Sequence, residues 1–129
     1  MKILVIDDDK TLTQTVVMMI EALGGKADSA NGAREAIRYL EKEHYEYILL
    51  DMRMPNEDGM WFIKNARIPG NTKVVIMSGF VPGLILREMY RLGACDYLEK
   101  PFDSHGLLDV LERQSRKGRR YESLQEVAA

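Results

Sequence analysis

Ile3-Leu4-Val5-Ile6-Asp7-Asp8-Asp9 is the stretch that decides the fold. Four apolar residues follow one another without polar alternation. That pattern suits a strand covered on both faces, and such strands belong to parallel sheets. Two further runs repeat it: Tyr47-Ile48-Leu49-Leu50, followed by Asp51, and Val74-Val75-Ile76-Met77, followed by Ser78. Lys26 to Ala30 and Cys95 to Leu98 read as weaker strands nearer the sheet edges.

The stretches between the strands have helical spacing. Leu12, Val16, Ile20 and Leu23 form one stripe, stopped by Gly24-Gly25. Ala33, Ala36, Ile37 and Leu40 form a second after Asn31-Gly32. Residues 58–67 and 82–92 read as two more helices, the latter opening at Pro82 and closing at Gly93. Leu107, Leu108 and Leu111 mark a last one. A strand-helix unit repeated five times builds a parallel sheet with right-handed crossovers and helices on both faces. Such sheets place their sites beyond the carboxyl ends of the strands.

The chain has 129 residues, 46% hydrophobic and 29% charged, which is one globular domain and neither a disordered nor a fibrous protein. Cys95 is the single cysteine, so an internal disulfide and a cysteine-based zinc cluster are excluded. No apolar run approaches the roughly 18 residues of a membrane helix, and the start does not read as a signal peptide. The expectation is a cytoplasmic protein with no membrane partner. Residues 1–112 carry 13 Lys/Arg against 18 Asp/Glu, which leaves no broad footprint for nucleic acid. The basic residues Arg113, Arg116, Lys117, Arg119 and Arg120 cluster near the end. They read as a solvated linker, with a DNA-contacting patch as the alternative.

The residues after the strands carry the chemistry. Asp7, Asp8 and Asp9 follow the first strand, Asp51 the third, Ser78 the fourth, and Lys100-Pro101 the fifth. Two carboxylates ~4 Å apart repel by about 4 kcal/mol at an effective dielectric of ~20. Three need a cation. Lys100 supplies one charge, and Mg²⁺, which takes carboxylates, waters and phosphate oxygens, would supply the rest. No histidine or cysteine falls in the cluster, which argues against zinc. Each residue also has a plain reading. Consecutive aspartates cap helices, a serine after a strand is often a turn residue, and lysines are usually solvated. The signal is their conjunction at one sheet edge.

In these segments the sequence resembles the response-regulator receiver domains of two-component signalling. The resemblance spans residues 2–112 and rests on Ile3 to Asp9, on Leu50-Asp51-Met52-Arg53-Met54-Pro55 with Asp58-Gly59, on Met77-Ser78-Gly79, and on Gly93 to Phe102. It implies an α/β fold: a doubly wound five-stranded parallel sheet in the flavodoxin-like order 2-1-3-4-5. It implies that Asp51 is the phosphoacceptor. Asp7 and Asp8 would hold Mg²⁺ together with Asp51 and the backbone carbonyl of Arg53. Ser78 is then the switch hydroxyl, Tyr97 the switch aromatic and Lys100 the phosphate-binding lysine, while Asp9 remains a helix cap. The Lys100–Pro101 peptide bond is expected to be cis. Arg53 and Phe80, two residues after the acceptor and the switch hydroxyl, would obstruct water and slow hydrolysis of the phosphate.

The implied partner is a sensor histidine kinase or a phosphotransfer protein. The implied output is a change in the face of the fourth helix, fifth strand and fifth helix, controlling a homodimer or a second protein. Leu84, Ile85, Met89 and Tyr90 are expected to feel that change. On this reading the chain is a signalling phosphoacceptor and not an enzyme. Residues 1–117 form the receiver domain, and 118–129 a C-terminal tail or the start of a linker. Nucleic acid would be met only through an output domain outside this chain or through the basic tail. Three rivals compete. An aspartyl-phosphate phosphohydrolase needs a second aspartate where Arg53 stands. A flavin-binding domain needs a phosphate loop where three aspartates stand. A phosphorylation-independent interaction domain would need none of these residues.

Overall fold

Five strands and five helices alternate along the chain: β1 (Lys2–Ile6), α1 (Lys10–Ala22), β2 (Lys26–Ala30), α2 (Ala33–Lys42), β3 (Tyr47–Asp51), α3 (Gly59–Asn65), β4 (Lys73–Ser78), α4 (Gly83–Arg91), β5 (Ala94–Glu99) and α5 (Ser104–Ala128). The structure, a computed structural model, describes residues 1–128 and the side chains of residues 1–116. The side chains of Lys117, Arg119 and Arg120 lie outside the described residues. The strands pair in parallel in the order β2-β1-β3-β4-β5, as the resemblance implies.

The unbroken apolar runs follow from helices on both faces. Along β1, Ile3 and Val5 point to one side and Leu4 and Ile6 to the other, and all four are wholly buried. Ile3, Val5, Leu49, Val75 and Met77 pack with Val16 and Ile20 of α1 and with Leu107, Val110 and Leu111 of α5. Leu4, Ile6, Ile48, Leu50 and Ile76 pack with Ala33 and Ala36 of α2, Phe62 and Ile63 of α3, and Met89 of α4. Each Ile or Leu buried this way contributes roughly 1.5–3 kcal/mol. Met89 thus belongs to the core, whereas its expected companions Leu84, Ile85 and Tyr90 face solvent.

β3 and β4 each extend one residue beyond the apolar run. Asp51 pairs with Met77 and Ser78 with Glu99, so both polar residues are the last of their strands. Between β4 and β5 the register slips from Val74↔Ala94 to Val75↔Asp96. β5 carries one extra residue, Cys95, at this bulge, which sets Tyr97 opposite Ile76. α4 ends where Gly93 takes φ +118°, a left-handed geometry that suits glycine.

Arg113 differs from the linker role expected for it. Its guanidinium donates to both carboxylate oxygens of Asp96 at 2.9 Å, and the Gln114 amide donates to the same carboxylate at 2.7 Å. Partial burial would push the Asp96 carboxyl up, but these donors outweigh it and hold the group below the usual carboxylate range. A depressed carboxyl adds stability that is present above its unfolded pKa and is lost as pH falls through the folded one. Asp96→Asn should therefore cost about 1 kcal/mol at pH 7, a figure discounted for the half-exposed arginine. The deficit should shrink as pH falls below 4. Thermal melts of both proteins across pH 3–7 check this, and a pH-independent gap would contradict it.

Candidate functional site

The order of the strands places the carboxyl ends of β1, β3, β4 and β5 side by side, and a cleft of about 410 Å³ opens above them. Asp7, Asp8, Asp51, Ser78 and Lys100 line it, with Arg53 and Phe80 among its walls. Of the predicted site residues, Tyr97 and Pro101 do not line the cleft: Pro101 follows Lys100 in the next loop, and Tyr97 touches β4. Its hydroxyl donates to the Ser78 carbonyl at 3.0 Å.

Asp7 and Asp51 are buried, at 1% and 5% exposure, while Asp8 faces solvent. Each of the three offers a carboxylate oxygen, and these oxygens lie within 4.8 Å of one another. Lys100 Nζ donates to Asp51 Oδ1 at 3.1 Å and to Asp7 Oδ2. The Lys100–Pro101 bond is cis. The Lys100 backbone N–H donates to the Ser78 carbonyl at 2.9 Å, which ties the lysine's loop to β4.

The charges do not balance. Three carboxylates face one ammonium. Burial pushes the Asp51 carboxyl up, the charge of Asp7 pushes it further, and Lys100 only partly opposes them. Burial pulls the Lys100 ammonium down, but the hydrogen bond to Asp7 and the two negative charges overcome it and raise the group. A lysine so held stays charged. The remaining negative charge, on oxygen donors alone, fits a hard divalent cation such as Mg²⁺.

The other residues are placed for distinct tasks. The Ser78 side chain is buried, and its hydroxyl donates to the Phe80 carbonyl at 3.2 Å. Asp9 caps α1 by accepting from the Leu12 N–H at 3.1 Å, as expected of it. Asp58 caps α3 in the same way through the Trp61 N–H at 2.9 Å. Phe80 is 68% exposed and lines the cleft at its rim.

Two contributors escape a reading by residue type. Asn31 directly follows β2, the one strand with no predicted site residue at its end or just after it. Its side-chain amide donates to the Asp7 carbonyl at 2.9 Å. Gly59 lies against the acceptor strand: a Cβ there would sit 2.6 Å from the Asp51 carbonyl oxygen. The signals were the position of Asn31 after a strand and the Asp58-Gly59 pair at a helix start.

Strand order 2-1-3-4-5 with an acidic, lysine-tied cleft beyond the carboxyl ends defines a flavodoxin-like α/β domain with its site at the switch point. The family model described as the response regulator receiver domain matches residues 3–112, and the chain belongs to that family. Among its relatives is the transcriptional regulatory protein BasR of Escherichia coli K12, 35% identical over 109 residues, which cover 79% of this chain and 46% of BasR. Sporulation initiation phosphotransferase F of Bacillus subtilis 168 is 28% identical over 87% of this chain and 91% of its own length. The chemotaxis protein CheY4 of Vibrio cholerae superposes with a TM-score of 0.81 at 28% identity, covering 87% of this chain and 96% of CheY4. The chain spans about half the length of BasR and of the transcriptional regulatory protein CrdR of Helicobacter pylori, at 46% and 54%. No helix among the described residues is long and apolar enough to cross a membrane.

Proposed function

We propose that Asp51 accepts a phosphoryl group from a phosphohistidine on a sensor kinase or phosphotransfer protein. The observation that carries this reading is the shared lysine: Lys100 bonds both Asp7 and Asp51 at the mouth of the sheet. An Asp51 carboxylate oxygen forms the new P–O bond. The P–N bond of the donor breaks, and its electron pair returns to the imidazole. Phosphoryl transfer of this kind needs alignment and neutralised charge more than a strong nucleophile.

Asp7, Asp8, Asp51 and the Arg53 backbone carbonyl would hold Mg²⁺, which supplies positive charge against the phosphoryl oxygens. Lys100 neutralises a second oxygen. Ser78 turns its hydroxyl from the Phe80 carbonyl to a third, beside the Gly79 N–H. The vacated space lets Tyr97 move, and the face of α4, β5 and α5 changes with it. Among the described residues, Phe80, Leu84, Ile85 and Tyr90 are the large exposed apolar side chains of this region. The output is homodimerisation through that face, or docking of a second protein on it. Sedimentation with and without beryllofluoride separates the two.

Incubation with acetyl phosphate and Mg²⁺ should add one phosphoryl group per chain. Excess EDTA should prevent it, and a chain phosphorylated equally well in EDTA would contradict the reading. The phosphoaspartate should hydrolyse slowly, because Arg53 and Phe80 stand at the cleft through which water must come. Arg53→Asn combined with Phe80→Glu should shorten its lifetime severalfold. An unchanged lifetime would remove both side chains from the account.

A further inference from the structure

The acidic cleft depends on the placement of Asp7 and Asp8, which share one peptide unit. Asp7 is held at four atoms. Its N–H donates to the Ala30 carbonyl at 3.1 Å, and its Oδ1 accepts from the Asp9 N–H at 3.0 Å. Its Oδ2 accepts from Lys100. Its carbonyl, which belongs to the peptide leading into Asp8, accepts from the Asn31 amide at 2.9 Å. That contact spans 24 residues of sequence.

Asn31 is itself anchored. Its backbone N–H donates to the Glu35 carboxylate at 3.2 Å, in the first turn of α2. Its side-chain amide also lies 3.4 Å from the hydroxyl of Thr13, a residue of α1 that is 1% exposed. The Thr13 hydroxyl donates in turn to the Lys10 carbonyl at 3.0 Å. One residue thus joins the start of α2, through its backbone N–H, to the first turn of α1 and the end of β1, through its side-chain amide. The strand bond of the Asp7 N–H fixes the peptide before Asp7, and Asn31 holds the carbonyl of the peptide after it, so the direction in which the chain leaves toward the exposed Asp8 is set from behind.

We infer that Asn31 is a positioning residue for the cation site, acting through the Asp7–Asp8 peptide and not by touching the metal. The inference rests on the reading of Asp7, Asp8 and Asp51 as Mg²⁺ ligands. Partners that orient the ligands of a metal are typically worth about 10- to 100-fold in affinity. Asn31 holds a backbone atom beside the ligands and not a ligand atom, so the lower figure is the one expected.

The test is Mg²⁺ affinity of the unphosphorylated chain, read by isothermal titration. Asn31→Ala should bind Mg²⁺ about tenfold more weakly than the native chain. Asn31→Leu, close in size but without a donor, should show the same loss, and it replaces the alanine variant if that one is not folded in EDTA. Thr13→Val leaves the Asn31-to-Asp7 bond in place and should keep affinity within twofold. Native affinity in both Asn31 variants would overturn the inference. Asp8→Asn is the control for the reading beneath it. If Asp8→Asn weakens Mg²⁺ binding and the Asn31 variants do not, only the role of Asn31 falls. If Asp8→Asn leaves the affinity unchanged, the cation site falls and the positioning role falls with it.

Discussion

Lys100→Met should lose about 3 kcal/mol of stability at pH 7 in EDTA, the largest effect expected of any single change at the cleft. The lysine side chain is 23% exposed, while the Asp7 and Asp51 side chains are 2% and 7% exposed. Removing the ammonium leaves two carboxylates facing each other away from water, with Asp8 beside them. Taking one partner from such a group costs far more than the ion pair itself contributes, because the remaining charge stays desolvated. Mg²⁺ should restore part of the loss by RT ln(1 + [L]/Kd) and should shift the melt of the variant more than that of the native chain. Phosphorylation by acetyl phosphate should still slow by on the order of tenfold to a hundredfold, since a fixed charge is missing where the phosphoryl oxygens gather. Thermal melts in EDTA and in Mg²⁺ check the first claim. A variant that melts with the native chain in EDTA would show that the carboxylates do not rely on Lys100.

Gly59→Ala should cost about 2 kcal/mol and disturb the cleft as well. The new methyl would lie 2.6 Å from the Asp51 carbonyl oxygen and 3.0 Å from the Met52 Cα, and both are backbone atoms that cannot rotate away. The Gly59 N–H also donates to the Met52 carbonyl at 3.2 Å, so α3 is seated directly on the end of β3. Relieving the clash means moving the acceptor strand or lifting the helix. Either breaks the alignment of Asp51 with Lys100. Gly70→Ala is the control, because a methyl there meets open space. Denaturant melts should separate the two variants clearly. Equal stability of Gly59→Ala and the native chain would mean that α3 shifts freely.

The parts of this molecule that could be read from sequence are the parts that one segment encodes. The run Ile3 to Ile6 announces a strand buried on two sides, and both faces are indeed covered. Asp7, Asp51, Ser78 and Lys100 each end or follow a strand, so the parallel topology alone brings them together. What escaped depends on pairs distant in sequence. Arg113 reads as linker because its partner, Asp96, lies 17 residues away. Asn31 reads only as a residue before the second helix, because the Asp7 carbonyl it holds leaves no mark in the composition. The surplus residue at Cys95 cannot be seen until β5 is laid against β4. Met89 falls among exposed neighbours in sequence, and only the packing of α4 on the sheet tells it from Leu84.

The most direct test of the central claim is the identity of the phosphorylated residue. The native chain and Asp51→Ala are incubated with acetyl phosphate and Mg²⁺, the acyl phosphate is trapped by borohydride reduction, and the digested peptides are mapped by mass spectrometry. The account predicts a single modified residue, Asp51, in the native chain and none in the variant. Modification of another residue that persists in Asp51→Ala, or a native chain that takes up no phosphoryl group, would contradict it.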